Sequence, residues 1–474
     1  MAPSASNSLK DVATSPDRPW GLHWRTSYWF TTYVIGLGVA VDIVVYSIIV
    51  PVVPFQLEHL GYTGISALSG WLLFAYSGGL LVATIPVAVL SERYNSRKHP
   101  MLAGLIALIT SQILFMEAPS FAVMCLARIF QGISSAVVWV VGLAFLCDAT
   151  PKEIIGRQIG FAMSGQSIGL ILGSPIGGTL YSRFGFRGPF VFTIICASID
   201  LLSRLAIIEP NESRKWGVDP TIYPRSTSGS SKETAQLVTE GILPREASSE
   251  PQSGIESVDC PLSLVQVMLK LFKSSRALVA LVMAFVYGFV YSSQEPILPL
   301  HLQSIWGLTS KKVGVFLLAL SVPMLFKFKA SSITGWLTDK FGAEWVAPAS
   351  MMLAVPWFGI LTIESSLPLF GVAFVLESFF TSGAISPLTA ELAAVSRNIQ
   401  GVGYAHMYAA FNVAFGIGTT IGPIVSGQMY DHIQKGWLAT CILGAALLFV
   451  AVLLTIPYTG DKPLLTRLRN ALMV

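Results

Sequence analysis

The chain has 474 residues, of which 53% are hydrophobic and only 12% are charged, and its formal net charge is +4. Soluble proteins carry about 25% charged residues, so this chain cannot cover its surface with charge in water. The composition excludes an ordinary soluble enzyme, a nucleic-acid-binding protein and a disordered scaffold. It predicts a polytopic membrane protein.

Apolar runs of about 20 residues, the length that crosses a hydrocarbon core, predict twelve transmembrane helices. Helices fit better than strands because lipid requires every backbone polar group to be paired within the protein. The first six helices lie near 28–54, 68–90, 100–117, 119–146, 158–181 and 188–208. The second six lie near 277–300, 312–336, 345–363, 367–393, 402–428 and 436–458.

Polar segments flank and separate these two groups of helices. Residues 1–27 predict a disordered cytoplasmic tail, residues 209–265 a linker rich in Ser, Pro, Glu and Lys, and residues 460–474 a second cytoplasmic tail. Such segments cannot bury enough apolar area to offset the entropy of ordering them. The predicted domains are therefore two six-helix bundles, at 28–208 and at 266–459.

The Lys and Arg residues predict the orientation in the membrane. With both termini in the cytoplasm, 21 of the 30 Lys and Arg residues lie inside, five lie in outside loops and four lie within spans. Cytoplasmic loops carry an excess of these residues. We therefore expect both termini to be cytoplasmic.

The two groups of six share local motifs at a nearly constant offset, which indicates an internal duplication. Pro51-Val-Val-Pro54 ends the first span, and Pro296-Ile-Leu-Pro299 ends the seventh span 245 positions later. The acidic–basic turn after span 2 (Glu92, Arg93) recurs after span 8 as Asp339 and Lys340, 247 positions later. Two such bundles around a central axis are typical of secondary transporters that work by alternating access.

A glycine–proline motif in span 5 recurs in span 11, 249 positions later. Its members are Gly169, Gly173, Pro175, Gly177 and Gly178 in span 5, and Gly422 and Pro423 in span 11.

With these motifs the chain resembles the major facilitator superfamily over residues 28–458. The segment with Glu92, Arg93 and Arg97 resembles the superfamily's loop between spans 2 and 3, and Arg128-Ile-Phe-Gln-Gly is similar to its span-4 motif. The span-5 motif resembles that of twelve-span drug/proton antiporters. The resemblance implies an all-α membrane protein with twelve transmembrane helices in two pseudo-symmetric six-helix bundles.

Within the superfamily, Val41–Pro51, Gln294–Leu302 and the stretch from Asn412 resemble the vesicular amine transporter-like branch and fungal drug or secondary-metabolite exporters. Vesicular amine carriers pair a span-2 lysine with a span-11 aspartate, and the positions that align here are Ser77 and Asn412. The resemblance therefore implies a proton-coupled antiporter that exports small hydrophobic or amphipathic compounds, and not an enzyme. The alternatives are a vesicular or vacuolar amine/proton exchanger, or a uniporter or symporter of the same fold.

Charged residues within the spans are costly to insert, so each should have a partner or a function. The candidates for proton coupling or substrate binding are Asp42, Glu295, Glu377, Arg128, Lys327 and Lys329. Arg128 is a candidate partner for Glu377. The alternatives are a role in helix packing for Asp42, a charge at the end of a span near outside water for Glu295, and a purely structural ion pair for Glu377. Asp200 and Arg204, four residues apart on span 6, are interpreted as an intrahelical pair that lets both charges insert.

Polar and aromatic residues within the spans are candidates for the wall of a substrate cavity, with simple packing as the alternative. They are Gln166, Asn412, Tyr76, Trp139, Tyr287, Tyr291, Tyr408 and Phe411. Charged residues in the two duplicated turns are candidates for a cytoplasmic gate, with a role in topology as the alternative. They are Glu92, Arg93, Arg97, Asp339 and Lys340.

The sequence predicts neither a metal site nor a cofactor. It has no P-loop for direct use of ATP, so a proton gradient is the expected energy source. The expected partners are a small-molecule substrate, protons and the lipid bilayer, without nucleic acid, and the protein is expected to be a monomer. The plasma membrane is the expected location, with a vacuolar or vesicular membrane as the alternative.

Overall fold

The computed structural model describes residues 19–93, 97–151, 154–219, 271, 273–398, 404–460 and 463–466. Within its helices the description leaves aside the side chains of residues 88, 91–93, 155–156, 321–333, 335, 339, 393, 396–398 and 404–409. The elements in these ranges are helices.

The membrane helices follow the twelve predicted spans in order. The first half contains α1 (Tyr28–Ser47), α2 (Ile65–Arg93), α3 (Lys98–Met116), α4 (Phe121–Val137), α5 (Ile155–Phe184) and α6 (Arg187–Ala206). The second half contains α7 (Ser275–Ser293), α8 (Ser310–Phe341), α9 (Ala343–Leu361), α10 (Leu367–Gly383), α11 (Tyr404–His432) and α12 (Gly436–Tyr458). Eleven helical segments of the described part have the length and hydropathy of a membrane span, and the 32-residue α8 coincides with the predicted eighth span.

Shorter helices extend or connect these spans. They are Leu22–Arg25, Val53–His59, Leu143–Asp148, Pro210–Arg214, Leu298–Trp306 and Ile385–Asn398. The first of them, Leu22–Arg25, lies in the tail that the sequence predicts to be disordered, and its Leu22 is buried. The prediction of disorder is therefore wrong for these four residues. The signal was missed because a single four-residue turn has no detectable apolar period.

Close packing inside each half depends on glycines of the duplicated motif. α5 packs against α1, and α11 packs against α7. A methyl group at Gly169 would lie 2.7 Å from the carbonyl oxygen of Ala40, and one at Gly422 would lie 2.6 Å from the carbonyl oxygen of Phe289. Side chains larger than hydrogen would therefore hold the two helices of each pair apart.

The two halves meet along two related helix pairs, α2 with α11 and α5 with α8. A methyl group at Gly314 of α8 would lie 2.7 Å from the carbonyl oxygen of Ser174 of α5, and one at Gly427 of α11 would lie 2.5 Å from that of Ser66 of α2. These close approaches lie at the ends of the helices that the sequence predicts to be outside.

Candidate functional site

Interrupted helices place the first candidate residues between the halves. α1 ends at Ser47 and the chain becomes helical again at Val53, while α7 ends at Ser293 and the chain becomes helical again at Leu298. Both interruptions contain a proline, which lacks the backbone N–H that an α-helix needs. Glu295 lies within the second interruption, which places its carboxylate where the regular backbone stops.

Asp42 lies in the interior of the first half, with 0% of its surface exposed. Its Oδ2 accepts hydrogen bonds from the Ser135 hydroxyl (2.6 Å) and from the Trp139 indole N–H (3.0 Å), whereas Oδ1 has no hydrogen-bond partner. Trp139 lies in a π-helical turn, Val138–Gly142, that continues α4. Turns of this kind often occur at functional sites.

A hydroxyl chain leads away from Asp42. The Tyr76 hydroxyl lies 2.9 Å from the Ser135 hydroxyl. Because Ser135 has one proton and donates it to Asp42, Tyr76 is the donor in this contact. The Tyr76 ring lies 4.9 Å from the Tyr46 ring, centroid to centroid, and Tyr46 donates a hydrogen bond to Glu295 of the second half.

Arg128 of α4 lies beside this chain, almost fully buried. Its guanidinium lies 5.9 Å from the Tyr46 ring centroid and 5.5 Å from that of Tyr76, and it donates to Gln131 at 2.8 Å. These distances are in the range of cation–π contacts. Arg128 thus supplies positive charge beside the tyrosine that binds Glu295.

A small cavity lies between Arg128 and Glu295, with Ser69 of α2 also in its wall. Arg128 Nε and the Ser69 hydroxyl are buried without a hydrogen-bond partner. The volume open to the centre of a water molecule is about 20 Å³, and a water needs roughly 10–15 Å³. The cavity therefore fits water and is too small for a drug-sized substrate.

The expected pairing of Arg128 with Glu377 is not formed. Glu377 of α10 is buried and accepts hydrogen bonds from Thr381 at 3.0 Å and from Ser378 at 3.1 Å. Arg128 instead lies close to the Tyr46–Glu295 contact. The equivalence of spans 4 and 10 does not predict contact, because equivalent helices occupy corresponding places in different halves.

Aromatic candidates of the second half form a separate cluster on α7 and α11. Tyr287 stacks on Phe415 with the ring centroids 5.5 Å apart, Phe415 stacks on Phe411 at 6.1 Å, and Tyr291 lies 6.2 Å from Tyr287. Tyr291 is 40% exposed. Tyr287 and Phe411 are buried, so Tyr291 is the most exposed ring of the cluster.

The remaining candidates divide by exposure. Asn412 is exposed and Gln166 is half-buried. The side chains of Lys327, Lys329 and Tyr408 lie outside the described part of the chain, so their proposed roles stay predictions.

The glycine–proline motif has two contact faces, one toward a helix of its own half and one toward the other half. Gly169, Gly173 and Gly177 face α1, whereas Ser174 and Gly178 face Gly314 and Ser310 of α8 in the other half. On α11, Gly422 faces α7 and Pro423 contacts Gly70 of α2. Each copy therefore packs within its own half and also contacts the opposite half; Pro175 belongs to the second face.

Polar contacts close the predicted outer end between the halves. The backbone N–H of Ala67, in the first turn of α2, donates to Asp431 of α11 at 2.7 Å. Ser310 donates to the carbonyl oxygen of Pro51, and Gln303 donates to Glu58 at 2.8 Å. Together with Tyr46–Glu295, these contacts hold the outer ends together.

The predicted cytoplasmic gate is described only in part. Arg97 forms an ion pair with Asp148 at 2.5 Å, and both residues belong to the first half. The Lys340 ammonium lies 5.2 Å from the Trp336 ring centroid on its own helix. The side chains of Glu92, Arg93 and Asp339 lie outside the described part, and the gating role stays a prediction.

Sequence reasoning missed Tyr46, Ser135 and Asp431. Helical spacing could have found the first two, because residues four apart share a face of a helix. Tyr46 follows Asp42 by four positions, and Ser135 precedes Trp139 by four. Asp431 gives no such signal, since its partner is a backbone N–H of a distant helix.

A family model gives the decisive comparison. The model of the Major Facilitator Superfamily matches residues 35–326 and 280–470, which together span most of the chain. This chain belongs to the major facilitator superfamily. This match confirms the resemblance to the family, and members of the family are transporters and not enzymes. The helical architecture agrees with the fold that the resemblance implies.

Relatives within the superfamily are distant in sequence. The chain is 24% identical over 441 residues to the MFS-type transporter ppzB of Metarhizium rileyi, covering 86% of this chain and 90% of that protein. It is 25% identical over 379 residues to the synaptic vesicular amine transporter of Rattus norvegicus, covering 78% of this chain and 63% of that protein.

Solved structures share the superfamily fold. A bacterial homologue of the human lysosomal transporter Spinster, in an inward-facing and unoccupied conformation, aligns with a TM-score of 0.68 at 15% identity. The alignment covers 92% of this chain and 98% of that one. A D-xylose–proton symporter aligns with a TM-score of 0.66 at 12% identity, covering 92% and 99%.

Proposed function

We propose that this transporter is a proton-coupled antiporter that exports small hydrophobic or amphipathic compounds by alternating access. The observation that carries the proposal is Asp42. It is a fully buried carboxylate in a membrane-spanning helix, with both hydrogen bonds on one oxygen and no partner on the other. Burial disfavours the charged form of a carboxyl group, which suits it to binding and releasing a proton.

The contacts around Asp42 give a physical route for coupling. Ser135 and Tyr76 connect it to Tyr46, and Tyr46 binds Glu295 of the second half. A proton on Asp42 or Glu295 weakens the acceptor strength of that carboxylate, because charge-assisted hydrogen bonds are the stronger ones. Protonation of Glu295 therefore weakens a contact that holds the halves together, and a proton gradient can bias the exchange of states.

The aromatic cluster supports the substrate class. Tyr287, Tyr291, Phe411 and Phe415 pack as an aromatic cluster in which Tyr291 is exposed, and the exposed Asn412 lies on the same helix as the two phenylalanines. Sites for small molecules are mostly apolar, with a few polar groups that orient the ligand. The span-5 glycine–proline motif supports exchange rather than symport.

Amine exchange in a vesicle or vacuole is the second candidate function. The similarity to the synaptic vesicular amine transporter favours it, whereas Ser77 and Asn412 at the positions of that group's lysine and aspartate weaken it. Under the leading proposal the protein is a monomer in the plasma membrane, with both termini cytoplasmic and no bound cofactor.

The test is exchange by the purified protein in proteoliposomes that contain a pH-sensitive dye. The external probes are ethidium, a hydrophobic cation, and tryptamine, a primary amine. We expect either probe to move protons in the opposite direction, and Asp42→Asn to lower gradient-driven exchange at least tenfold. Glu117→Gln is the matched control, because Glu117 pairs with Arg187 on the surface of the same half.

Three outcomes separate the candidates. Exchange of ethidium supports the leading proposal, whereas exchange of tryptamine without ethidium favours the amine exchanger. Probe movement without proton movement would replace both with a uniporter. Unchanged exchange by Asp42→Asn would remove Asp42 from the coupling role.

A further inference from the structure

Asp200 and Arg204 form a buried ion pair on α6 that leaves two nitrogens of the guanidinium without a hydrogen-bond partner. Arg204 Nε lies 3.2 Å from Asp200 Oδ2, and the two side chains are 1% and 0% exposed. Arg204 Nη1 and Nη2 are buried and have no hydrogen-bond partner. A pair that served only to insert two charges would be expected to use the guanidinium fork, because bidentate contacts satisfy more donors.

The unpaired edge of Arg204 faces the helices that hold Asp42. Nη2 occupies the space beside Gly38 where a larger side chain would begin, and Nη1 lies 4.0 Å from the corresponding point at Gly142. Gly38 is one helical turn before Asp42 on α1. Gly142 is in the π-helical turn that also carries Trp139.

Asp42 has an unpaired acceptor of its own. Its Oδ1 is without a partner, and the described charges that act on it belong to Arg204 and Asp200. The groups that face it from α4 are the neutral Ser135 and Trp139. From α2 the facing group is Tyr76, which acts through Ser135. From α5, Gly165 and Gly169 face this stretch of α1 and carry no titratable group.

We propose that Arg204 is a positioning residue for the protonation of Asp42, and that Asp200 limits how strongly the positive charge of Arg204 acts on Asp42. This inference rests on the proposed function, because it explains how Asp42 can lose its proton inside the protein. The Nη1 and Nη2 edge of the Arg204 guanidinium stabilises the negative charge of deprotonated Asp42. When Asp42 binds a proton, Asp200 remains as the counter-charge, so the Arg204 cation has a negative charge beside it in both protonation states of Asp42.

The proposal predicts that two sets of substitutions in this pair shift the protonation midpoint of Asp42 in opposite directions. Removing the cation with Asp200→Asn/Arg204→Met leaves deprotonated Asp42 without an opposite charge, so its protonation midpoint moves to higher pH by on the order of one unit. Asp200→Asn alone removes a negative charge and frees Arg204 for Asp42, so the midpoint moves to lower pH. Arg204→Lys keeps the charge and restores most of the wild-type midpoint.

The measurement is infrared titration of the protonated carboxyl band in detergent-solubilised full-length protein. For each background the spectrum of the same protein with Asp42→Asn is subtracted, which isolates Asp42. The control is Glu117→Gln/Arg187→Gln, which removes a surface ion pair of the same half and should leave the midpoint unchanged. Size-exclusion elution checks that each variant is folded.

Opposite shifts in the two backgrounds support the proposal, and a purely structural pair would not produce them. Midpoints that stay fixed, or that move in the same direction, overturn it. If the double variant does not fold, the downward shift in Asp200→Asn still decides the question. The titration needs no transported compound, so its result is independent of whether the exchange assay succeeds.

Discussion

The hydroxyl group of Tyr46 on α1 donates a hydrogen bond to the carboxylate of Glu295, just beyond α7, and this bond joins the two halves of the transporter. Tyr46 lies in the last turn of α1, just before a proline-containing break, and Glu295 lies within the break that follows α7. Arg128 lies over the Tyr46 ring. The contact is therefore part of the closed outer end and also part of the chain that leads to Asp42.

Tyr46→Phe should weaken the closed outer end. It removes one hydrogen bond between the halves and keeps the ring, and such a bond contributes about 1 kcal/mol or more. The reporter is Ser69→Cys, at the cavity beside Glu295, in a protein whose five native cysteines are replaced. We expect an impermeant maleimide added from outside to label the reporter roughly five- to tenfold faster.

Tyr33→Phe is the matched control for that change. Tyr33 also lies on α1, but it is 66% exposed at the other end of the helix. Its substitution should leave the labelling rate unchanged. Equal rates for Tyr46→Phe and the unsubstituted reporter protein would show that the Tyr46–Glu295 bond does not hold the outer end.

Asp431→Ala should open the same end by a different contact. Asp431 accepts the backbone N–H of Ala67 at 2.7 Å, in the first turn of α2. A carboxylate at a helix N-terminus satisfies an otherwise unpaired donor and interacts with the helix dipole, together about 1 kcal/mol. The Ser69→Cys reporter should label several times faster, and the increase should shrink in high salt.

Glu117→Gln separates this effect from a general loss of acidic charge. Glu117 lies at the predicted outer end of α3 and pairs with Arg187 inside the first half. Its substitution should not change the labelling rate. An equal increase in both variants would assign the effect of Asp431→Ala to surface charge instead of to the contact with α2.

Arg128→Lys should impair the site although the charge is kept. The planar guanidinium lies within 6 Å of the centroids of Tyr46, Tyr76 and Phe115, and a lysine ammonium cannot reproduce this stacking. Contacts of this kind contribute about 0.5–2 kcal/mol. We expect exchange of the ethidium probe to fall several-fold in proteoliposomes.

Arg157→Lys is its control. The Arg157 guanidinium also lies over two rings, those of Trp29 and Phe161, but it has no contact with the chain from Asp42 to Glu295. Exchange should stay near the wild-type rate. Equal losses in both variants would indicate that stacked arginines act through stability alone.

The sequence predicts the fold well because the membrane acts on every residue of a span. Runs such as Gly436–Tyr458 must be apolar for their whole length, so hydropathy identifies them and their order predicts the two halves. The candidate site is recovered in part. Asp42, Tyr76, Trp139, Arg128 and Glu295 meet in the structure, and each is a polar or aromatic exception within an apolar run.

The rest depends on geometry that a single sequence does not contain. The sequence predicts Glu377 beside Arg128, but Glu377 accepts hydrogen bonds from Ser378 and Thr381 on its own helix. Asp431 reaches a backbone group 364 positions away, and backbone donors are present at every residue. A partner of that kind leaves no chemical mark in the sequence.

Gly169→Ala should destabilise the first half. The added methyl group would lie 2.7 Å from the carbonyl oxygen of Ala40 and 2.8 Å from Cβ of Ile43. Carbon atoms do not approach so closely, so α5 must move away from α1, and overpacking of this kind costs about 1–3 kcal/mol. Thermal unfolding of the purified protein in detergent should occur several degrees lower.

Gly160→Ala tests whether this loss comes from packing or from the loss of a glycine as such. Gly160 lies on the same helix, and nothing lies within 4 Å of the point where its Cβ would be. Alanine is favoured over glycine inside a helix by up to about 1 kcal/mol, so this variant should unfold at the same temperature or slightly higher. Opposite signs for two identical substitutions on α5 would locate the effect at the α1–α5 contact, whereas two equal decreases would assign it to the flexibility of the helix.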